Sequence, residues 1–311
     1  MSSARVTLLA DRGRLVGMGH AMRLNTLAAA LTAEGLQPRF LLCGEPGPWD
    51  EMLGDNGSWV VETADISSPQ IVERVVTTDP SVVVIDSYAI SKESVAGLER
   101  TGVRVVLIDD NGEHSGFESS VIVNPNPHGR SIAYRPVSGQ RLLVGADWIL
   151  IRPDVVAASS HRSGPGTGWV VAIGGTDPRG LVEQIRQFLP DGEPVVVAPT
   201  SGGPLRPEEL SGALSRARGA VVAAGSTAWE AVFLSVPTVA VVTADNQELV
   251  GRSLREDFGV DVVDAREEGW EELLAHAIAG LDPIDLSSPS GIDGRGAQRL
   301  SGVIRGLTEA R

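Results

Sequence analysis

One short stretch, Gly17-Met-Gly-His20-Ala-Met-Arg23, puts a histidine where chemistry is possible. It follows an apolar run, Val6 to Ala10, and precedes a segment with helical spacing, Met22 to Leu31. A residue between a parallel strand and the next helix faces the carboxyl end of the sheet, where α/β proteins bind ligands. The positive end of a helix dipole disfavours an imidazolium, so an exposed His20 suits the work of a general base. The plainer reading is that the glycines only make a tight turn and His20 is a surface residue. The stretch is also half of a dinucleotide fingerprint, but Met22 stands where the third glycine belongs and no acidic residue closes the second strand. NAD and FAD are therefore excluded.

Three more junctions of this kind occur in the second half. In Gly174-Gly175-Thr176-Asp177-Pro178 the glycines let a ligand approach the backbone, and the amides opening the next helix can receive a diphosphate without a lysine. Asp177 as helix cap and Pro178 at the first helical position would explain the same residues structurally. In Gly225-Ser226-Thr227-Ala-Trp-Glu230, Thr227 and Glu230 have capping-box spacing, while a carboxylate one turn into a helix can equally accept hydrogen bonds from ribose hydroxyls. Asp245-Asn246-Gln247 supplies neutral amides after a further strand. Cys43 is the only cysteine and lies in an apolar run, which makes it structural. The five histidines, His20, His114, His128, His161 and His276, show no ligand spacing, so neither metal nor cofactor is expected.

The elements that must position these residues are short Val/Ile/Leu runs alternating with helical segments. Expected strands are Val6 to Ala10, Arg39 to Cys43, Ser58 to Val61, Ser81 to Ile85, Arg104 to Ile108, Val121 to Val123 and Leu142 to Val144. A second set follows at Trp169 to Ile173, Pro194 to Val197, Ala220 to Ala223, Thr238 to Val242 and Val260 to Val263. Runs without polar alternation read as parallel strands covered on both faces. Helices are expected at Met22 to Leu31, Gly180 to Leu189, Thr227 to Leu234, Asn246 to Phe258, Trp270 to Leu281 and Ala297 to Leu307. A chain of 311 residues exceeds the roughly 250 to 300 that one core supports. The fold class is α/β, with two Rossmann-like, doubly wound parallel-sheet domains facing a cleft. The expected divisions are 1–155, a Ser/Gly/Pro-rich linker at 156–168, 169–295, and a last helix in 296–311 that packs back on the first domain.

A net charge of −14 repels phosphate backbones and anionic lipid, so nucleic acid and membrane surfaces are not expected partners. No stretch approaches the ~18 to 20 apolar residues of a membrane span, and Met1 to Arg5 leads into a strand instead of a signal sequence. A cytoplasmic location is expected; oligomeric state is not legible.

Taken in order, the motifs resemble those of the PseG/SpsG-like UDP-sugar hydrolases, relatives of the MurG-type glycosyltransferases with the GT-B fold. The resemblance rests on Asp11, Gly17-x-Gly-His20-x-x-Arg23, Val84-Ile-Asp86-Ser-Tyr88, Ile108-Asp-Asp110, Asn124-Pro-Asn126, Tyr134, Gly145 and Arg152-Pro153. It continues through Gly174 to Pro178, Gly225 to Glu230 and Asn246-Gln247, about 250 residues in all. It implies hydrolysis of a UDP-linked aminodeoxy sugar at its anomeric carbon, in nonulosonic acid biosynthesis, with sugar on the first domain and nucleotide on the second. Carried over, His20 activates water, Tyr88 and Asn246 surround the reacting centre, and Glu230 holds the ribose. Asp11, Gly17, Gly19, Arg23, Asp86, Gly174, Gly175, Thr176, Gly225, Ser226, Thr227 and Gln247 complete the substrate-binding set.

The chain departs from the family pattern at Leu9, where the motif usually begins with Arg, at Ser120, where an Asp is common, and at Trp148, a usual Tyr. All three lie in the half expected to face the sugar. A glycosyltransferase with the same donor is the nearest rival, but the chain lacks an obvious basic or long apolar segment for a lipid-linked acceptor. A 2-epimerase and a catalytically silent UDP-sugar sensor, which would not need His20, are further alternatives.

Overall fold

Each strand is paired only with parallel neighbours, and this decides where ligands can be met. The computed structural model describes residues 4–11, 19–44, 58–62 (backbone only), 65–160, 164, 166–175, 177–200, 205–281 and 291–309. The chain divides into two compact units, Met1–Leu150 with Arg295–Arg311, and Ile151–Gly294.

In the first unit the chain runs β1 (Arg5–Asp11), α1 (Gly19–Ala33), β2 (Gln37–Cys43), β3 (Ser58–Glu62), α2 (Ile71–Thr77), β4 (Val82–Asp86), α3 (Lys92–Arg100), β5 (Arg104–Ile108), β6 (Val121–Asn124) and β7 (Arg141–Val144). The sheet order is β3-β2-β1-β4-β5-β6-β7. The chain winds outward from β1 to β3, then returns to lay β4 on the other side of β1. The register sets Ala10 beside Asp86, so β1 and β4 end together at that switch point. Leu24, Leu27, Ala28 and Leu31 of α1 are fully buried against the sheet, as their i, i+3, i+4, i+7 spacing requires.

The second unit holds α4 (Pro153–Ser159), β8 (Trp169–Ala172), α5 (Leu181–Arg186), β9 (Val195–Ala198), α6 (Pro207–Arg216), β10 (Gly219–Ala223), α7 (Ser226–Phe233), β11 (Thr238–Val242), α8 (Glu248–Phe258), β12 (Asp261–Asp264) and α9 (Trp270–Ala279). Its sheet order is β12-β11-β10-β8-β9, with the switch point between β8 and β10. Among the described residues no helix is long and apolar enough to cross a membrane.

Two expectations are corrected. The linker begins inside a helix: Pro153 occupies the first turn of α4, and Val155 and Ala158, three apart, are buried. A segment read as compositionally loose is therefore structured through Ser159. The helix expected from Asn246 also starts later, because Asp245–Gln247 forms a single 3-10 turn ahead of α8.

The last helix, α10 (Gly296–Glu309), belongs to the first unit, where Leu300 and Ile304 join the core under α1. It approaches so closely that a Cβ on Gly296 would lie 2.1 Å from the Ile149 carbonyl oxygen, whereas one on Gly302 would meet nothing within 4 Å. Gly296→Ala should therefore destabilise the chain by about 1 to 3 kcal/mol through overpacking. Gly302→Ala should stabilise it by about 0.5 to 1 kcal/mol through helix propensity. Urea unfolding of the two variants checks this; equal effects would mean that α10 does not dock at Gly296.

Candidate functional site

The switch point of the first sheet collects two carboxylates around one guanidinium. Arg23, on the second turn of α1, donates from Nε to Asp86 Oδ2 at 2.8 Å and from Nη2 to Asp86 Oδ1 at 2.7 Å. It also donates from Nη1 to Asp110 Oδ1 at 2.7 Å and from Nη2 to Asp110 Oδ2 at 2.9 Å. Asp86 closes β4 and Asp110 lies two residues beyond β5, so one side chain ties α1 to adjacent strand ends. Asp110 further accepts from Tyr88 Oη at 2.9 Å and from Asn126 Nδ2 at 2.8 Å. Its carbonyl oxygen accepts from Asn124 Nδ2 and bonds His128 Nε2. Burial by itself would raise the Asp110 carboxyl, but the charge and hydrogen bonds of Arg23 outweigh it and hold the group well below the usual carboxylate range.

His20 is the second residue of α1 and sits one turn before Arg23, on the same face. Its expected exposure is corrected: the residue is only 7% exposed. The imidazole packs edge-on against the Tyr88 ring, centroids 4.9 Å apart. Its Nδ1 is buried with no hydrogen-bond partner among the described residues and lies 3.8 Å from Asp86 Oδ1. Gly19, beside it, opens α1 and is exposed; Gly17 lies outside the described residues.

Asp11 differs from the other two carboxylates. It ends β1 and accepts from Ser87 Oγ at 2.5 Å. Burial raises its carboxyl and the nearby Asp86 charge adds to this, against the lowering effects of the Ser87 hydrogen bond and of His20. Two carboxyls that both feel the charge of His20 are thus pushed in opposite directions, a pattern common at acid–base sites.

In the second unit the βα junctions are neutral but not all open. Gly174 has φ 99°, a conformation that favours glycine, and neither Gly174 nor Gly175 belongs to a helix. The amides expected to receive a diphosphate there are taken: Asp177 accepts from Leu181 N and Val182 N, both at 2.8 Å. Pro178 lies in the preceding turn and not at the first helical position, which Leu181 fills. Thr176 lies outside the described residues. At α7 the half-in residue is Gly225, which has no side chain to cap the amino end, and Ser226 and Thr227 open the helix.

The capping box read at Thr227 and Glu230 does not form. Glu230 is 3% exposed, and its carboxylate takes a two-pronged hydrogen bond from Arg152, Nε to Oε1 at 2.6 Å and Nη2 to Oε2 at 3.0 Å. The pair anchors the start of α4 to α7. Asn246 is exposed in the turn after β11, while Gln247 is engaged in closing that turn by accepting from Thr243 N at 2.8 Å.

The structure thus brings His20, Arg23, Asp86 and Tyr88 together, with Asp11 at the neighbouring strand end. Asp110, Asn126, Ser87 and Arg152 join these interactions; all four lie in the family motifs, but none is among the expected site residues. The signal for Arg23 and His20 is their i, i+3 spacing. The family departures have structural explanations: Leu9 is core, Ser120 binds Glu99, and Trp148 packs on the core of the first unit. Among the described residues no group of three or more His, Cys, Asp or Glu could hold a metal ion.

The Asp11 geometry has a consequence for stability. A carboxyl raised in the folded state favours the protonated form, so its contribution is present below the unfolded value near ~3.9 and is lost as pH rises through the folded value. Asp11→Asn stays neutral and should raise Tm at pH 7, with the gain shrinking to nothing as pH falls below ~3.9. Thermal unfolding across this range checks it; a Tm lowered at pH 7 would show that the ionised carboxylate is well accommodated.

No protein-family model matches the chain. It is 22% identical over 341 residues to the spore coat polysaccharide biosynthesis protein SpsG of Bacillus subtilis (strain 168), covering 98% of both chains. Among solved structures it resembles Acinetobacter baumannii MurG, at TM-score 0.59 and 13% identity over 97% of this chain and 99% of that one. Phytolacca americana UGT2, solved with UDP-2fluoro-glucose and pterostilbene, gives TM-score 0.60 and 13% identity over 99% of this chain and 94% of that one. The fold, two parallel-sheet α/β units, is therefore GT-B, and the chain is similar to SpsG along nearly its whole length.

Proposed function

We propose that the chain cleaves a UDP-linked aminodeoxy sugar at the anomeric carbon, with water as the acceptor. The observation that carries this reading is His20: an imidazole with a buried ring nitrogen that has no hydrogen-bond partner among the described residues, packed on Tyr88 at the switch point of a parallel sheet. His20 takes a proton from water, the water oxygen bonds to the anomeric carbon, and the carbon–oxygen bond to the β-phosphate breaks. UDP carries away that electron pair.

The nucleotide is assigned to the second unit. Its best-supported anion contact is the uncapped amino end of α7 at Gly225, Ser226 and Thr227, whose amides can face a departing phosphate. The Gly174-Gly175 loop contributes close backbone approach. Glu230 reaches ribose hydroxyls only as a carboxylate already oriented by Arg152. The bound UDP-sugar of Phytolacca UGT2 supports a UDP-sugar donor, and the SpsG likeness supports a role in polysaccharide or sugar precursor biosynthesis.

A second reading, transfer of the sugar to an acceptor hydroxyl, is favoured by the glycosyltransferase neighbours and differs only in what His20 deprotonates. Incubation with a panel of UDP-sugars, followed by NMR, separates the two: UDP and free sugar on one side, turnover only with an acceptor on the other. His20→Asn should lower kcat roughly 10² to 10⁴-fold while changing sugar-nucleotide binding little. A fully active Asn variant would remove His20 from the mechanism.

A further inference from the structure

Tyr88 is 37% exposed, at the strand ends where the sugar is assigned, and its phenol carries a single proton. That proton is committed. Oη donates to Asp110 Oδ2 at 2.9 Å, and Asp110 is a carboxylate already bound by Arg23 and Asn126, with no proton of its own to give. Whatever ligand group meets this oxygen therefore meets an acceptor.

We propose that Asp110 is a positioning residue that fixes the hydrogen-bond polarity of Tyr88, so that the phenolic oxygen selects a sugar bearing an O–H or amide N–H donor at that point. The inference rests on the proposed function for the identity of the ligand, but the polarity itself belongs to the protein alone. It also removes Tyr88 as an acid toward the leaving group.

The four bonds to Asp110 predict how the device inverts. An Asn at this position must place an amide nitrogen at one oxygen site. At the Oδ1 site it would face two donors, Arg23 Nη1 and Asn126 Nδ2; at the Oδ2 site it would face one donor, Arg23 Nη2, and the Tyr88 oxygen. The second arrangement leaves fewer opposed donors and gives Tyr88 a donor to accept from. The Tyr88 proton is then released toward the ligand.

Two measurements test this. The chain has only two tyrosines, so the Raman spectrum of the wild type minus that of Tyr88→Phe isolates the Tyr88 ring doublet, which reports donor or acceptor character. A donor signature is expected in the unliganded wild-type chain, changing to an acceptor signature in Asp110→Asn. An acceptor signature in the wild type overturns the proposal even if Asp110→Asn does not fold. The second measurement is binding of UDP-N-acetylglucosamine and of analogues fluorinated at each sugar hydroxyl in turn or N-methylated at the acetamide. One such change should weaken wild-type binding about tenfold, and Tyr88→Phe should abolish that discrimination. Discrimination unchanged in Tyr88→Phe overturns the selective role, whereas failure of every UDP-sugar to bind contradicts the proposed function and leaves the Raman result standing.

Discussion

A single buried guanidinium sets the geometry of the first unit's site. Arg23 reaches from α1 to the ends of β4 and β5 and satisfies two carboxylates at once. Burying three charges is costly, and such a cluster persists only when nearly every donor and acceptor is paired. Here the pairing is dense, and it leaves little freedom for α1 to rotate. His20, one turn earlier on the same helix, is consequently held against Tyr88.

The charge balance of this cluster also explains its chemistry. Asp86 and Asp110 share the single charge of Arg23, which holds the Asp110 carboxyl well below the usual carboxylate range. Asp11 receives a serine hydroxyl instead, and burial leaves its carboxyl easier to protonate. The second unit follows another logic. Its junctions are built from glycines and backbone amides, and a buried ion pair, Arg152 with Glu230, tethers α4 to α7. A chain with a net charge of −14 can hold a diphosphate through local dipoles in this way, without a basic surface.

The strand pattern was legible because buried parallel strands are continuous apolar runs; Arg104–Ile108 and Thr238–Val242 fall on the expected residues. The helical spacing of His20 and Arg23 and the acidic end of β4 were equally open to reading. Asp110 was not separable from Asp109 by type or position. Only folding shows that Asp109 accepts backbone amides from Asn111, Gly112, Glu113 and His114 and so shapes a loop, while its neighbour enters the site. Long-range partners were likewise hidden. Glu230 looked like a local cap because its partner, Arg152, is 78 residues away, and Asp177 closes an amino end that glycine content suggested was open.

The central claim is that water, directed by His20, attacks the anomeric carbon of a nucleotide sugar. Turnover in H₂¹⁸O followed by mass spectrometry of both products tests it most directly. The account predicts one solvent oxygen in the released sugar and none in UDP, because the bond broken is between carbon and the bridging oxygen. Label in the phosphate of UDP would contradict it by placing the attack at phosphorus.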